Sequence, residues 1–355
     1  MHYDAIISGG SFTGLAAAVQ LHGKRVLLVE PHTIGAVQTS ACGTVLRILE
    51  TTGTMDGLLQ VHDRILLHLG KRTFDYPMLY SFCTFDYRVF CRRLLAQSDA
   101  EVLRASVLRH DGHKVSTTRG IIESDILIDA TGWRAALATN LRQQRAKPHN
   151  SRSFGLETTI PTAKDGLHFY NAPRLLRSFN VGWLFPIGGS SRAGLASFTQ
   201  NEFGLPPDGR HGGHFPYRLQ STSTGDVFRI GDAAGQCIPL TGEGIRPALY
   251  FGAMAGRLVR RALDEEISLP TALHRYERFV GRRVRLYRHL LIVQKVLPAL
   301  PMGWIGGVAR YVQRPDVLDP LLRCYWKMFE PDALAQFWRG RATNHVVEKA
   351  TSESG

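Results

Sequence analysis

The sequence has few cysteines, and their spacing argues against two common cysteine-based architectures. Five occur in 355 residues, an odd number, and none forms a C-x-x-C pair. Disulfide frameworks and structural zinc sites use regularly spaced cysteines, so neither is predicted, and we assign no metal site. No basic segment followed by an apolar run precedes the strand-like start at Tyr3, so we expect no secretion signal and a cytoplasmic location.

Long apolar runs are also missing. The most membrane-like stretch, residues 290–308, is interrupted by Lys295, Pro298 and Pro301, and proline breaks a helix. A spanning helix needs about 20 consecutive apolar residues. With a mean hydropathy of −0.10, 44% apolar and 21% charged residues, the composition is typical of a globular protein.

Acidic residues are scarce relative to basic ones. The chain has 43 Lys and Arg against 30 Asp and Glu, a net charge of +13, which is typical of a protein with an anionic partner. No nucleic-acid motif is present, and we expect no nucleic-acid partner. The basic residues concentrate in residues 257–288. One interpretation is peripheral contact with an anionic membrane at its inner face, and the alternative is an arginine-rich face that contacts only solvent.

The N-terminal segment has the order strand, glycine turn, helix, strand. Apolar residues 4–7 lead into a glycine-rich turn and a helix-forming run, and a second apolar strand ends at Glu30, about twenty positions after the first glycine of the turn. Glycines allow the tight turn and the close helix packing, while the acid can accept a ribose hydroxyl. The predicted contacts to the nucleotide half of a dinucleotide are Gly9, Ser11, Phe12, Thr13, Gly14 and Glu30.

A second glycine-rich turn favours FAD over a nicotinamide cofactor. Strand-like residues 226–230 lead into GDAAGQCIPLTGEGI at residues 231–245 and then into a helix. An aspartate there can accept a hydrogen bond from a ribityl hydroxyl, and free amides at a helix start favour the negative charge of a reduced flavin. The predicted contacts are Gly231, Asp232, Gly242, Glu243, Gly244 and Ile245, joined by Gly132 after the apolar strand at 125–129.

These motifs resemble the geranylgeranyl reductase family, within the flavoproteins built like p-hydroxybenzoate hydroxylase. The resemblance covers about residues 1–290 and is carried by residues 231–245, by the Gly182-Trp183-Leu184-Phe185-Pro186 segment with the later Gly194, by Ala41-Cys42-Gly43 and by FDYRVF at residues 85–90. The chain departs from the related patterns at Ser11, Thr131, Val181 and Ala196.

The resemblance implies an α/β fold in which a Rossmann-like FAD-binding domain carries an inserted substrate domain with an antiparallel sheet. The implied FAD-binding domain comprises residues 1–60, 82–150 and 222–265, and the substrate domain comprises residues 61–81 and 151–221. Residues 266–355 would form a helical region, with a periodic apolar pattern starting at Leu269. We expect this region to cover a lipid-accepting cavity or to anchor the protein at an interface.

The resemblance also implies the chemistry: hydride transfer from reduced FAD to a C=C bond of an isoprenoid, geranylgeranyl-type lipid or another hydrophobic small molecule. Cys42 and Gly43 would lie beside the flavin, with Cys42 as a proton donor or positioning group. The alternative for Cys42 is a small buried thiol. Trp183 and Phe185 would line the substrate cavity, or would be ordinary core aromatics. No second dinucleotide motif is present, so the electron source would be transiently docked NAD(P)H or a ferredoxin-type donor.

Other activities on the same fold remain open at the level of sequence. Halogenases carry a G-W-x-W-x-I-P segment, of which this chain retains only Trp183, Leu184, Phe185 and Pro186. A flavin monooxygenase, a halogenase, a membrane-associated electron-transfer flavoprotein, and an enzyme that dehydrogenates or cyclises a carotenoid-like substrate are therefore the alternatives.

Overall fold

The computed structural model describes residues 2–137, 152–171, 180–197 and 210–338. Within these ranges the chain forms two eight-stranded sheets and a set of helices. The strands of the first sheet are β1 (His2–Ser8), β2 (Val26–Val29), β6 (Glu101–Leu103), β7 (Val107–Asp111), β8 (Lys114–Thr117), β9 (Gly120–Asp129), β15 (Ser223–Thr224) and β16 (Val227–Arg229). Those of the second are β3 (Gly43–Val45), β4 (Leu58–Leu69), β5 (Arg72–Phe85), β10 (Arg152–Ile160), β11 (Leu167–Asn171), β12 (Asn180–Pro186), β13 (Ser191–Ser197) and β14 (Arg210–Pro216).

The first sheet has a parallel centre, as expected for a dinucleotide-binding fold. Its main order is β15-β16-β9-β1-β2-β6, and β1 pairs in parallel with both β2 and β9. The apolar run of β1 is buried on both faces, which is typical of a central parallel strand covered by helices. The carboxyl ends of β1, β2 and β9 therefore meet at one edge, where the predicted nucleotide residues follow the strands.

The helices of the described chain are α1 (Phe12–Val19), α2 (Leu46–Thr52), α3 (Tyr87–Leu95), α4 (Ile245–Leu263), α5 (Leu269–Gly281), α6 (Val284–Val296), α7 (Met302–Val312), α8 (Pro315–Met328) and α9 (Pro331–Trp338). Short 3-10 turns occur at Met55–Gly57, Gly132–Arg134, Gly231–Ala234 and Leu297–Ala299. The predicted helix entry at residues 85–90 is confirmed, because Asp86 caps α3 by accepting a hydrogen bond from the Val89 amide at 2.8 Å.

Helices α1 and α4 pack closely because α4 carries glycines at the contact. A Cβ on Gly252 would lie 2.4 Å from the carbonyl oxygen of Thr13, and one on Gly256 would lie 2.4 Å from that of Ala17. No larger residue fits at either position without moving α1. This packing places the middle of α4 next to the start of α1.

The second sheet has the order β14-β10-β13-β12-β11-β4-β5-β3 and is antiparallel except between β11 and β4. An antiparallel substrate sheet was predicted, and the mixed α/β fold class is confirmed. The strands of this sheet come from residues 43–45, 58–85 and 152–216. The domain boundaries given above remain predictions.

The C-terminal helices pack into the core of the molecule. Tyr276 of α5, Tyr287 of α6, and Phe329, Leu334 and Phe337 near the C-terminal end belong to the same buried cluster as the apolar residues of α1 and β1. The helical periodicity predicted from Leu269 onward is confirmed. Within the described ranges, every helix is too short or too polar to cross a bilayer.

Candidate active site

The first glycine turn joins β1 to α1 and approaches the end of β9. Gly9 has a φ of +108°, and a Cβ there would lie 2.2 Å from the Ala130 carbonyl oxygen. A Cβ on Gly14 would lie 1.9 Å from the Gly9 carbonyl oxygen. Both positions therefore require glycine. No side chain caps the start of α1, so the amides of its first turn are available to an anionic ligand.

Glu30 lies beside this turn, at the end of β2. One carboxylate oxygen accepts a hydrogen bond from the Gly10 amide at 2.9 Å, and the other accepts from the His32 amide at 3.1 Å. The side chain is partly exposed, and each oxygen can accept a second hydrogen bond. This position is compatible with the predicted contact to a ribose hydroxyl.

Three predicted contacts of the first turn have different surroundings. The Ser11 hydroxyl accepts a hydrogen bond from the Tyr87 hydroxyl at 2.9 Å. The ring of Phe12 is buried, with edge contacts to the rings of Phe85, Tyr87 and Phe90, so only its backbone could face a cofactor. Thr13 faces the second glycine turn, because a Cβ on Gly231 would lie 2.4 Å from the Thr13 Oγ1. The two glycine turns thus meet directly.

Asp232, in the second turn, has an unusual environment for a carboxylate. Its side chain is partly buried, and it has no hydrogen-bond or ion-pair partner among the residues described. Burial raises its pKa to about 7. A desolvated carboxylate without a partner is costly, and a ligand hydroxyl that donates to it would remove part of that cost. This observation supports the predicted ribityl contact.

The turn after β9 carries Gly132. The buried Asp129 carboxylate accepts hydrogen bonds from the Thr131 and Leu137 amides, both at 3.0 Å, and from the Thr131 hydroxyl at 2.6 Å. These bonds organise the turn. Gly132 has a φ of +70°, and a Cβ placed on it would meet no atom within 4 Å. The space beside the Gly132 Cα, near the first glycine turn, is therefore open.

Glu243 was predicted as a cofactor contact, but its side chain is engaged elsewhere. It forms a buried bidentate ion pair with Arg246, at 2.5 and 2.7 Å, and accepts a hydrogen bond from the Tyr325 hydroxyl. Only its backbone could therefore face a cofactor. The neighbouring Gly242 has a φ of +65°, Gly244 precedes α4, and Ile245 is its buried first residue. No side chain caps the start of α4.

The C-terminal helices hold this second turn in place. The Tyr276 hydroxyl on α5 accepts a hydrogen bond from the side-chain Nε2 of Gln236 at 3.0 Å, and the Tyr287 hydroxyl on α6 donates to the backbone carbonyl of Gln236 at 2.6 Å. Gln294, buried on α6, accepts from the Leu240 amide at 2.6 Å. Leu240 has a φ of +69°, a strained conformation that the surroundings must enforce. Sequence patterns carry no signal for these long-range contacts.

Cys42 lies at the edge of the second sheet and is fully buried. Its φ of +53° is rare for a residue other than glycine. The thiol donates a hydrogen bond to the Ser40 carbonyl at 3.3 Å, and burial raises its pKa well above the ordinary value. Cys42 is therefore a thiol, not a thiolate, at neutral pH.

The three predicted catalytic residues converge. The Phe185 ring lies over Gly43, whose Cβ would stand 3.0 Å from the ring, and the rings of Phe185 and Trp183 are 6.3 Å apart. Trp183 in turn lies over Gly194, because a Cβ there would come within 2.0 Å of the indole. Residue 194, which follows the Trp-Leu-Phe-Pro segment, must therefore be glycine, because the indole occupies the space of a side chain.

A buried charged pair that we did not predict supports Trp183. The indole ring lies across Gly194, and its nitrogen donates a hydrogen bond to the Glu157 carboxylate at 2.5 Å. Arg192 lies 3.9 Å from that carboxylate and donates to the carbonyls of Ala41 and Phe85 at 3.2 and 3.0 Å. The pair links the indole to the backbone beside Cys42. In the sequence, Glu157 is a charged residue inside an apolar strand, and such a residue is usually interpreted as facing solvent.

An apolar groove of about 310 Å³ lies between the second sheet and the C-terminal helices. It is lined by Leu67, Leu69, Tyr76, Tyr170, Asn171, Val181, Leu240, Leu297, Ile305, Val308, Ala309 and Val312. Leu240 belongs to the second glycine turn, and Val181 precedes the Gly-Trp segment. A larger cleft of about 510 Å³ is polar and lined by Arg257, Arg260 and Arg261 at the far end of α4, so we do not associate it with this site.

The residues at the two glycine turns fit FAD. Both helix starts lack side-chain caps, the Asp232 carboxylate lacks a partner among the described residues, and Gly132 borders open space. An extended dinucleotide would use the start of α1 for its diphosphate and Asp232 for its ribityl chain. The individual contacts remain predictions.

Comparisons with known proteins agree with this interpretation. No family model matches the sequence. A digeranylgeranylglycerophospholipid reductase 1 of Methanopyrus kandleri is 24% identical over 91% of this chain and 97% of its own length. A second reductase of that name and organism, reductase 2, is 27% identical over 28% of this chain, and that match spans about a quarter (26%) of the relative's length.

Solved structures show the same fold. A geranylgeranyl bacteriochlorophyll reductase-like protein from Thermoplasma acidophilum matches with a TM-score of 0.76, at 17% identity and 99% coverage of both chains. A flavin-dependent brominase matches with a TM-score of 0.64, at 16% identity and 99% coverage of both. A variant of Klebsiella pneumoniae HpxO complexed with FAD matches with a TM-score of 0.67, at 15% identity, over 93% of this chain and 99% of its own. The predicted resemblance, the fold class and the general class of FAD-dependent oxidoreductase are confirmed.

Proposed function

We propose that this protein uses FAD to reduce C=C bonds in the isoprenoid chain of a lipid. The observation that carries the proposal is the apolar groove, because it connects the C-terminal helices to Leu240 of the second glycine turn and to Val181 of β12, the strand that also carries Trp183. A groove of this lining accepts a long hydrocarbon chain and offers little to a polar substrate. The names of the Methanopyrus kandleri relatives support the same substrate class.

The protein's contribution is to hold an alkene in a dry site. When bound, reduced FAD supplies the hydride for one alkene carbon, and the other carbon needs a proton. Glu157 fixes the Trp183 indole, which lies over Gly194, and Phe185 lies over Gly43 beside Cys42. The two aromatic rings would position the chain, and the site must exclude water for the reaction to be efficient.

Cys42 carries a proton at Sγ, since burial raises the pKa of the thiol. It is our candidate for the group that positions or protonates the second carbon. We further propose that electrons come from transiently docked NAD(P)H or from a ferredoxin-type donor. The support for transient docking is that the sequence contains no second dinucleotide motif.

The test is anaerobic incubation of the FAD-loaded protein with a chemical reductant and a geranylgeranyl lipid, followed by mass spectrometry. We expect the gain of two hydrogens for each double bond reduced. Trp183→Ala should lower this rate roughly a hundredfold, because displacement of a reacting atom by about 1 Å has effects of that size. FAD content should stay unchanged. A product that appears only with oxygen or halide, and no reduced chain, would show that the monooxygenase or halogenase alternative is correct.

A further inference from the structure

Helices α6 and α7 expose an unusual number of large apolar side chains. We define the apolar face as Ile292, Val293, Val296, Leu300, Trp304 and Val308. The fractional exposure is 51% for Ile292, 71% for Trp304 and 56% for Val308. Contiguous exposed apolar surface of this kind marks an interaction site.

The segment that carries the apolar face has charged residues of one sign. Residues 278–315 contain eight Lys and Arg and no Asp or Glu. Arg285, Arg288, Lys295 and Arg310 are exposed, and none of these four has an ion-pair partner among the described residues. An apolar surface on helices that also expose such basic side chains is complementary to an anionic lipid bilayer. A second copy of the chain on the same face would bring like charges together.

The groove and the apolar face share residues. Val308 is exposed on the face and also lines the groove, while Leu297 and Ile305 continue the lining inward. The opposite side of α6 contacts the second glycine turn through Gln294 and Tyr287. The helix that presents the apolar face is therefore the one that also fixes the loop at the other end of the groove.

We propose that the apolar face docks on an anionic lipid bilayer with the mouth of the groove opening into it, so that an isoprenoid chain enters without crossing water. The docking itself rests on the exposed apolar side chains of the face and on the basic residues of the same helices. Only the identity of the chain in the groove rests on the proposed function. Trp304 would lie at the boundary between headgroups and acyl chains, where tryptophan is favoured.

The experiment is flotation of the FAD-loaded protein with phosphatidylcholine vesicles, with and without phosphatidylglycerol. We expect at least about tenfold stronger binding to the anionic vesicles, weakened by salt. The Ile292→Ser/Trp304→Ser variant should lose most of this binding. The control is Ile121→Ser, since Ile121 is 67% exposed on the first sheet, away from α6 and α7. Equal losses in the variant and the control would overturn the proposal.

A second variant tests the charges. Arg285→Glu/Arg288→Glu should reduce binding to anionic vesicles, whereas Arg104→Glu/Arg109→Glu, at the edge of the first sheet, should not. Lipids with brominated acyl chains should quench part of the tryptophan fluorescence, and Trp304→Phe should remove that part. If light scattering instead shows that Trp304→Ser dissolves a dimer and vesicle binding is absent, the face is a contact between copies and the proposal is wrong.

Reduction of a short, water-soluble isoprenoid separates this proposal from the proposed function. Activity on that substrate without vesicle binding would overturn the docking alone. Vesicle binding that depends on the apolar face, without reduction of any isoprenoid, would overturn the proposed function and support the docking.

Discussion

The ion pair between Arg246 and Glu243 offers the sharpest quantitative test of how the second glycine turn is held. Both side chains are almost completely enclosed, at 1% and 9% exposure. Arg246 also donates to the carbonyls of Tyr325 at 3.3 Å and of Phe329 at 3.4 Å. The arginine thus connects the turn to α8 and its C-terminal end.

Arg246→Met should lower the free energy of unfolding by about 3–5 kcal/mol, because it leaves the Glu243 carboxylate buried without its partner. The double variant Glu243→Gln/Arg246→Met removes both charges and should recover about 1–3 kcal/mol of that loss. Arg257→Met is the control, since Arg257 is an exposed residue of the same helix. It should change stability by less than about 0.5 kcal/mol.

Urea unfolding of the FAD-loaded and the flavin-free protein measures these differences. FAD affinity should fall in Arg246→Met and recover in part in the double variant, because the turn is restored without a direct contact from the Glu243 side chain. A double variant as unstable as the single one would refute the reasoning. Normal stability of Glu243→Gln with complete loss of FAD binding would show that the carboxylate contacts the cofactor after all.

Three further predictions concern the site. FAD affinity should fall as pH falls through about 7, because the raised pKa of Asp232 makes its carboxyl group neutral there. For the same reason, the flavin-free protein should become less stable as pH rises from about 4 to about 7, since the folded state holds the Asp232 proton up to a higher pH than the unfolded state does. Wild-type affinity that is independent of pH, together with unchanged affinity in Asp232→Asn, would contradict this. Gly194→Ala should displace the Trp183 ring, which lies 2.0 Å from the new Cβ, and lower turnover roughly a hundredfold with normal FAD content; an unaffected rate would exclude a positioning role. Val181→Tyr should fill part of the groove and shift preference in competition assays from bulky to slim polyprenyl chains, whereas an unchanged preference would place the substrate elsewhere.

The parts of the site that sequence predicts are local in the chain. Gly9, Gly14 and Glu30 belong to one strand-helix-strand unit, and their spacing follows from geometry that residues 4–30 set by themselves. The second glycine turn is equally local. The convergence of Cys42 with Trp183 and Phe185 came from the family resemblance, since Cys42 lies far along the chain from β12, the strand that carries both aromatic residues.

The missed residues depend on distant pairings. Glu157 looks like a solvent-facing strand residue until the register of β10, β13 and β12 places it level with Gly194 and Trp183. Gln294 looks like one polar position of an amphipathic helix, and only the packed fold shows that its side chain reaches Leu240. One-dimensional patterns report periodicity and burial, but they do not report which side chain fills a given gap.

The contacts that α5, α6 and α8 make with the second glycine turn have a consequence for the order of folding and cofactor binding. The turn, at residues 231–246, cannot adopt its final shape until Tyr276, Tyr287, Gln294 and the backbone near residue 325 are in place. During synthesis these groups leave the ribosome after the turn does. Cofactor loading is therefore a late step, and a chain stopped after α4 would contain every predicted flavin contact yet remain colourless.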